Sequence, residues 1–366
     1  MSHLVRLTRH MGMTPSLIII GAGYAGCVAA RRALRKGCRV TLVNERDTFI
    51  NRIRLHEVVA GARTPEAATK ALTDVVPGAE LVIGRVETVG EDEHRAWAQL
   101  EDGHRVHADQ LVLATGSAAG SGSWDWALHH RGALNALPAG ARVEVVGAGW
   151  TGLETAAEVA EQRPDLSVTL VDAKPIGHTF SEGGRAHLLA TLERLGVATR
   201  TRVADHSEVA GEQPCVDHVI DCTGLAVDAL AGRSGLPTTS RGQVIVTPEL
   251  RVQGHQRLWA CGDAAHVTGQ PHLRMACATA NPMAPRVVTN ILASATGAEP
   301  QPFSLGYLAQ SLSLGRRDGL IQWVKADDTP TKFFQRGRSA AWTKETVSRL
   351  AVPRWTALLP APKGPR

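Results

Sequence analysis

No stretch of this 366-residue chain approaches the roughly 18 consecutive apolar residues that a bilayer-spanning helix requires. None of the six cysteines, Cys27, Cys38, Cys215, Cys222, Cys261 and Cys277, stands in a CxxC or CxxxxC pair. That spacing argues against a redox disulfide or a thiolate metal site and fits buried, reduced residues of a cytoplasmic protein. The histidines, His56 among them, lack ligand spacing, so a structural or surface role is their default. Charge is nearly balanced at +5, and the arginines are scattered rather than gathered into a stripe. This composition speaks against a nucleic-acid partner and for a basic enzyme surface that tolerates anionic nucleotides. Met1 to Thr14 carries Arg6, Arg9 and His10 but no apolar core of signal-peptide length. It reads as a disordered or mis-started extension, with Met11 and Met13 as alternative starts.

What the chain does have is a strand, a glycine turn, a helix and a second strand, and it has them twice. Leu17-Ile18-Ile19-Ile20 runs into Gly21-Ala22-Gly23-Tyr24-Ala25-Gly26, a helical stretch follows, and a strand from Arg39 closes on Glu45. In such βαβ units glycines let the backbone approach a pyrophosphate at the helix N-terminus, and an acid ending the second strand takes the ribose hydroxyls. The same plan recurs in Val143 to Val146, Gly147-Ala148-Gly149-Trp150-Thr151-Gly152, a helical stretch from Leu153 to Ala160, and Ser167 to Val171 ending on Asp172. The copies also correspond further on, where Asp109 to Gly116 is answered by Asp217 to Gly224, each closing on Thr-Gly. One GxGxxG alone is a weak signal. Two of them, each with its strand, acid and Thr-Gly end, predict two nucleotide-binding domains.

Between and beyond the copies, the pattern predicts a loop running into a helix up to Gly61. Strands follow at Leu81 to Val89, His94 to Leu100 and Arg105 to Ala108, with Glu101-Asp102-Gly103 as a hairpin turn. Gly116 to Gly122 reads as a hinge, and Glu182 to Leu195 as a helix of the second domain. Past Phe303 the pattern changes to two antiparallel strands, Ala309 to Leu314 and Leu320 to Lys325, and a segment from Ala340 that begins as a helix.

Two fingerprints, two Thr-Gly strand ends and the late Trp259-Ala260-Cys261-Gly262-Asp263 resemble the pyridine nucleotide-disulphide oxidoreductase superfamily, from about Pro15 to Thr346. Within it the chain is most similar to type II NADH dehydrogenases and apoptosis-inducing-factor-like flavoproteins, on three features: no cysteine pair after the first helix, Gly152-Leu153-Glu154, and the Ser313-Leu314-Gly315-Arg316-Arg317-Asp318-Gly319 hairpin. The resemblance implies an α/β protein with two Rossmann-like three-layer dinucleotide-binding domains, one for FAD and one for NAD, plus a small C-terminal α+β segment. Its boundaries would be an extension over 1–14, the FAD domain over 15–120 and 241–302, the NAD(P) domain over 121–240 and an interface segment over 303–366. By the same resemblance Gly21, Gly23 and Gly26 face the FAD pyrophosphate, flanked by Tyr24 and Ala25, and Glu45 and Arg46 lie at the adenosine ribose. Val86 reaches the adenine by its backbone. Ala114, Thr115 and Gly116 line the cofactor channel, Gly262 and Asp263 form the second FAD motif, and Arg54 is an FAD contact. Gly147, Gly149, Gly152 and Gly224 would serve NAD, with Asp172 on its ribose.

An acid at Asp172 repels a 2′-phosphate and so favours NADH over NADPH, although Lys174 lies two residues beyond. Glu154 stands where the family places a glutamate near nicotinamide and flavin; a helix-dipole role is the alternative. Hydride transfer needs no protein acid or base, because the cofactors hold the chemistry and the protein aligns them. Ala278-Thr279-Ala280-Asn281-Pro282 departs from the quinone-reducing pattern in lacking paired glutamines. The electron acceptor is therefore left open between a quinone and another small molecule. A flavin enzyme that oxidises or hydroxylates an organic substrate, and an FAD- and NADH-binding redox sensor acting through a partner, are the competing readings. Trp342, Arg349, Arg354 and Trp355 leave a membrane-surface helix, a docked tail and a homo-oligomer contact all open, with Pro353 and Pro360 interrupting the helix.

Overall fold

Leu17–Ile20 is apolar at every position because both faces of the strand are covered, the signature of a parallel sheet packed between helices. The computed structural model describes residues 14–120, 123–201 and 216–351. The N-terminal extension, the tip of the expected hinge, Cys215 and the tail that carries Pro353, Arg354, Trp355 and Pro360 lie outside the described residues. Five parallel strands form the first sheet, in the order Leu258–Ala260, Gln110–Leu113, Leu17–Ile20, Val40–Asn44 and Glu80–Ile83. Four parallel strands form the second: Ala198–Thr201, Ser167–Asp172, Arg142–Val146 and His218–Asp221.

The two sheets repeat each other in register as well as in order. Ile20 lies opposite Val43 and Leu113, and Val146 opposite Val171 and Asp221. Asp109 takes the Ser16 amide at 2.7 Å and Asp217 the Arg142 amide at the same distance, so the two aspartates tie matching strand starts. Both fingerprint-opening glycines, Gly21 and Gly147, have φ of 95°, a conformation that side-chain-bearing residues rarely adopt. A Cβ on Gly26 or Gly152 would run into the carbonyl oxygen of its own Gly21 or Gly147. These third glycines therefore act in helix-to-strand packing.

The register revises one detail of the sequence reading. Asn44, not Glu45, is the counterpart of Asp172: the Asn44 side chain accepts the Ala22 amide at 2.9 Å, as Asp172 accepts that of Ala148 at 2.5 Å. Glu45 lies one residue past the strand, an exposed acid 3.6 Å from Arg85.

Other elements differ from expectation for local reasons. Leu81 to Val89 is two strands, because Gly84 and Arg85 turn the chain out of the parallel sheet and into the antiparallel meander of Val86–Glu91, Ala96–Leu100 and Arg105–Ala108. The C-terminal sheet has a third strand, Pro330–Arg336, which runs directly into the helix Gly337–Leu350. Ser117–Gly120, expected as hinge, pairs with Leu225–Val227 to make a two-stranded link between the units. Leu230, Ala231 and Leu236 pack in the first core, within the span expected for the second unit.

Two pieces from outside the second unit are buried in its core, and they build the site described next. The short helix Leu55–Ala60 contributes Leu55, Val58 and Val59, and the C-terminal hairpin contributes Leu312, Leu314 and Leu320. Gly61 closes the short helix in the left-handed conformation at φ 85°, which Gly allows at little cost.

Candidate functional site

Both fingerprint turns open onto one cleft of about 1570 Å³. Single small-molecule sites occupy about 300–1,000 Å³, so the cleft has the capacity for two cofactors. Each fingerprint helix, Tyr24–Arg35 and Trp150–Gln162, begins without a side-chain cap and without an acid in its first turn. Its leading N–H groups are thus free to meet an anion, which the positive end of the helix dipole favours. Gly23 and Gly149 have open space where a Cβ would project, as close approach of a phosphate requires. These features fit a flavin and a pyridine nucleotide.

On the first side the cleft is lined by Gly21, Gly23, Tyr24 and Ala25, by Glu45 and Arg46, and by Val86. Ala114, Thr115 and Gly116 continue the wall to Gly262 and Asp263. Arg46 is ion-paired with Asp125 at 2.9 Å, and the neighbouring Trp124 also reaches the cleft. Tyr24 donates its hydroxyl to Asn51 at 2.6 Å and packs edge-on against Phe49; burial pushes its phenol well above the ordinary value. Arg54 is not at this wall: it is buried and ion-paired with Glu57 at 2.7 Å and Glu345 at 2.5 Å. The arginine that does line the cleft is Arg52, two residues earlier, which donates to the Ser117 carbonyl at 2.5 Å. The Ser117 hydroxyl in turn donates to Asp263 at 2.9 Å. Burial raises the Asp263 carboxyl, with that hydroxyl and Arg52 pulling the other way.

On the second side Gly149, Trp150, Thr151 and Gly224 line the cleft, while Gly147 and Gly152 pack behind them. Asp172 takes the amides of Ala148 and Lys174, at 2.5 and 2.8 Å.

Where the two halves meet, Glu154, His56, Cys277 and Lys344 face the cleft. Glu154 lies beyond the first turn of its helix, so the helix-dipole explanation for it does not hold. Its carboxylate accepts the Ser313 amide at 3.0 Å, pairs with Lys344 at 2.9 Å and stands 3.6 Å from His56 Nδ1. Burial alone would raise this carboxyl, but Lys344, His56 and the Ser313 amide together hold it below the ordinary value. Burial lowers His56 in turn, against the pull of Glu154 and Glu57.

Behind these residues lies a second layer of charge. Arg316, from the C-terminal hairpin, pairs with Glu57 at 2.9 Å and with Glu158 at 2.6 Å, so one guanidinium bridges carboxylates from both units. Glu57 also takes Arg63 at 2.6 Å. Burial raises Glu158 to about 7, with Arg316 opposing and Glu57 and Glu161 adding to the rise.

Sequence reasoning missed Arg52, Lys344, Arg316 and the placement of His56. Arg316 stands in the hairpin the sequence singled out, but nothing in spacing couples it to Glu57 and Glu158, or Lys344 to Glu154. Only the docking of the C-terminal segment on the second unit does so.

The model of the pyridine nucleotide-disulphide oxidoreductase family matches residues 15–290. Ferroptosis suppressor protein 1 of Taeniopygia guttata is 27% identical over 338 residues, covering 84% of this chain and 88% of that protein. An NADH dehydrogenase-like protein of Mycobacterium tuberculosis is 26% identical over 380 residues, covering 91% and 92%. Among solved structures, NDH2 of Plasmodium falciparum in complex with NADH superposes with a TM-score of 0.76 at 14% identity, covering 94% of this chain and 97% of that one. The sulfide:quinone oxidoreductase of Aquifex aeolicus gives 0.75 at 16% identity, covering 93% and 92%.

Proposed function

The chain belongs to the pyridine nucleotide-disulphide oxidoreductase family, and from that premise we propose that it is an FAD enzyme which oxidises NADH and passes the electrons to a quinone-type acceptor. The observation that carries this reading is the single cleft into which both fingerprints open, with Glu154, His56 and Lys344 at their junction. The flavin would supply the two-electron carrier between nicotinamide and acceptor. The chain's own residues bind and orient. Gly21 and Gly23, with the first helix N-terminus, hold one pyrophosphate, and Gly149 with the second helix N-terminus holds the other. Asp172 stands at the end of the second strand, where a negative charge disfavours a 2′-phosphate, so NADH is preferred.

Small side chains at the acceptor end of the cleft, Ala276, Ala278, Ala309 and Ser311, leave room for a planar ring. The Lys344 ammonium offers a proton and a hydrogen bond to a carbonyl oxygen there. This chemistry suits a quinone without the glutamine pair expected of quinone reducers. The same C-terminal segment exposes Trp342 (72%) and Phe333 (63%), with Trp323 and Leu350 also exposed and Lys332 over the Phe333 ring. Exposed aromatics beside cations suit a peripheral contact with an anionic lipid surface, from which an apolar acceptor can enter. Among the described residues no helix is long and apolar enough to cross a membrane.

The test is the visible spectrum of the purified protein under anaerobic NADH, with NADPH in parallel, followed by a quinone. Flavin bands that bleach with NADH and return with quinone support the reading. Bands that resist both nucleotides refute it and favour the substrate-oxidising alternative.

A further inference from the structure

The stoichiometry of the proposed reaction, on which this inference rests, leaves a proton to be found. A hydride delivers two electrons and one proton, whereas reduction of a quinone to its hydroquinone takes two electrons and two protons. One proton per turnover must come from water. In the cleft Lys344 is placed to give it, and the Lys344–Glu154 pair, at 2.9 Å, must then be recharged.

We infer that His56 relays this proton from the solvent edge at Arg316 to the Glu154–Lys344 pair. The imidazole stands between the two layers of charge. Its Nδ1 is 3.6 Å from Glu154 Oε2, while its Nε2 is 3.5 Å from Arg316 Nη2 and 4.0 Å from Glu57 Oε1. A guanidinium only donates, so Nε2 must accept and the neutral ring carries its proton on Nδ1, directed at Glu154. Arg316 is 32% exposed, whereas His56, Glu57 and Glu154 are all buried, so the guanidinium beside Nε2 is the group of this cluster that meets solvent.

Four charged groups face the ring: Glu57 on its own helix, Glu154 on the second fingerprint helix, Arg316 on the hairpin and Lys344 on the C-terminal helix. At rest each carboxylate is countered, Glu57 by Arg54, Arg63 and Arg316 and Glu154 by Lys344, and burial keeps the ring neutral. Loss of the Lys344 proton to the acceptor removes one cation. The Glu154 carboxylate then faces the ring without its cation, and the ring's affinity for a proton rises. His56 takes a proton at Nε2 and releases the one on Nδ1 through the Glu154 carboxylate to the Lys344 amine. A half-turn of the ring restores the starting tautomer. Because it acts through Glu154 and Lys344, His56 is a positioning and relay residue.

The experiment compares two acceptors on the flavin-loaded protein: a water-soluble quinone, which takes up protons, and ferricyanide, which takes electrons alone. In His56→Gln the ratio of quinone to ferricyanide rate should fall by about tenfold or more, and the solvent deuterium isotope effect on the quinone rate should rise. Imidazole added to His56→Ala should restore the ratio, which it would not do for a packing role. A ratio that stays constant, whether or not both rates fall, overturns the relay. A second measurement does not depend on turnover or on a His56 variant. In ¹³Cε1-histidine-labelled protein, Lys344→Met should move the His56 titration midpoint upward, and an unmoved midpoint overturns the coupling. A wild-type protein that reduces ferricyanide but no quinone overturns the acceptor reading, and the relay with it. One whose flavin NADH cannot bleach overturns the function itself.

Discussion

Replacing Glu158 by glutamine should stabilise the protein, and increasingly so as pH rises. The side chain is fully buried, and its carboxyl is raised to about 7 chiefly by that burial, even with Arg316 at 2.6 Å. In the unfolded chain the same group titrates near 4.5. Below that value both states hold the proton and nothing is lost. Between 4.5 and 7 the folded protein keeps a proton that the unfolded chain has released. Wild-type stability therefore falls there by about 1.4 kcal/mol per pH step, or about 3 kcal/mol across the window, an order-of-magnitude figure. Glutamine has the shape of the protonated acid and no proton to lose. The remaining groups titrate alike in both proteins and largely cancel. The excess stability of Glu158→Gln should thus grow by about 3 kcal/mol from acid to neutral pH and then level off. Urea unfolding of flavin-loaded wild type and variant at about pH 4.5, 6 and 8 reads this difference directly. A difference that is flat or that declines with pH would show that Arg316 keeps the buried carboxylate ionised, and the reasoning would fail.

Gly21→Ala should be isolated with little flavin. Positive φ costs a Cβ-bearing residue about 1–2 kcal/mol, and the new methyl would stand 2.5 Å from the Ala114 carbonyl oxygen, displacing the fingerprint turn or the Ala114–Thr115 backbone on the flavin side of the cleft; a flavin content equal to wild type contradicts this. Glu345, held at about 2 mainly by its hydrogen bond to Arg54, contributes stability that is complete above its ordinary 4.5 and lost as pH falls towards 2. Glu345→Gln should therefore lower the melting temperature at neutral pH and make no difference near pH 2, while an equal effect at both values would remove the ion pair as the cause. The doubly substituted Trp342→Ser/Phe333→Ser protein should bind anionic phosphatidylserine vesicles at least about fivefold more weakly, with NADH-driven flavin bleaching intact. Vesicle binding that ignores these residues would exclude this face as the lipid contact.

The double fold was legible because its signals are local. Four apolar residues before a glycine turn, and a Thr-Gly end matched in both copies, are short-range patterns that the backbone obeys wherever they occur. The hydrogen bonds of Asp109 and Asp217 to matching strand starts show how faithfully the repeat extends. The errors arose at one-residue resolution. Glu45 was taken for the strand-end residue when Asn44 occupies that register, and Arg54 was taken for the cleft arginine when Arg52 faces it. Pattern places an element; which way a side chain points near a strand end or in a short 3₁₀ turn depends on what packs beside it.

By itself, then, the sequence determined the two nucleotide-binding units, their glycine turns and the family, since each motif behind them is a short run whose meaning is local and whose recurrence can be read along the chain. Only the tertiary structure decided what stands between the units. The helix Leu55–Ala60 and the C-terminal hairpin are buried in the second core, and that docking carries His56, Glu57 and Arg316 to Glu154 and Glu158, with Lys344 following on the C-terminal helix. Charges from separated segments pair there, Glu57 with Arg54, Arg63 and Arg316, Glu158 with Arg316 and Glu154 with Lys344, because a buried carboxylate left without a cation is costly, a balance that no local pattern encodes.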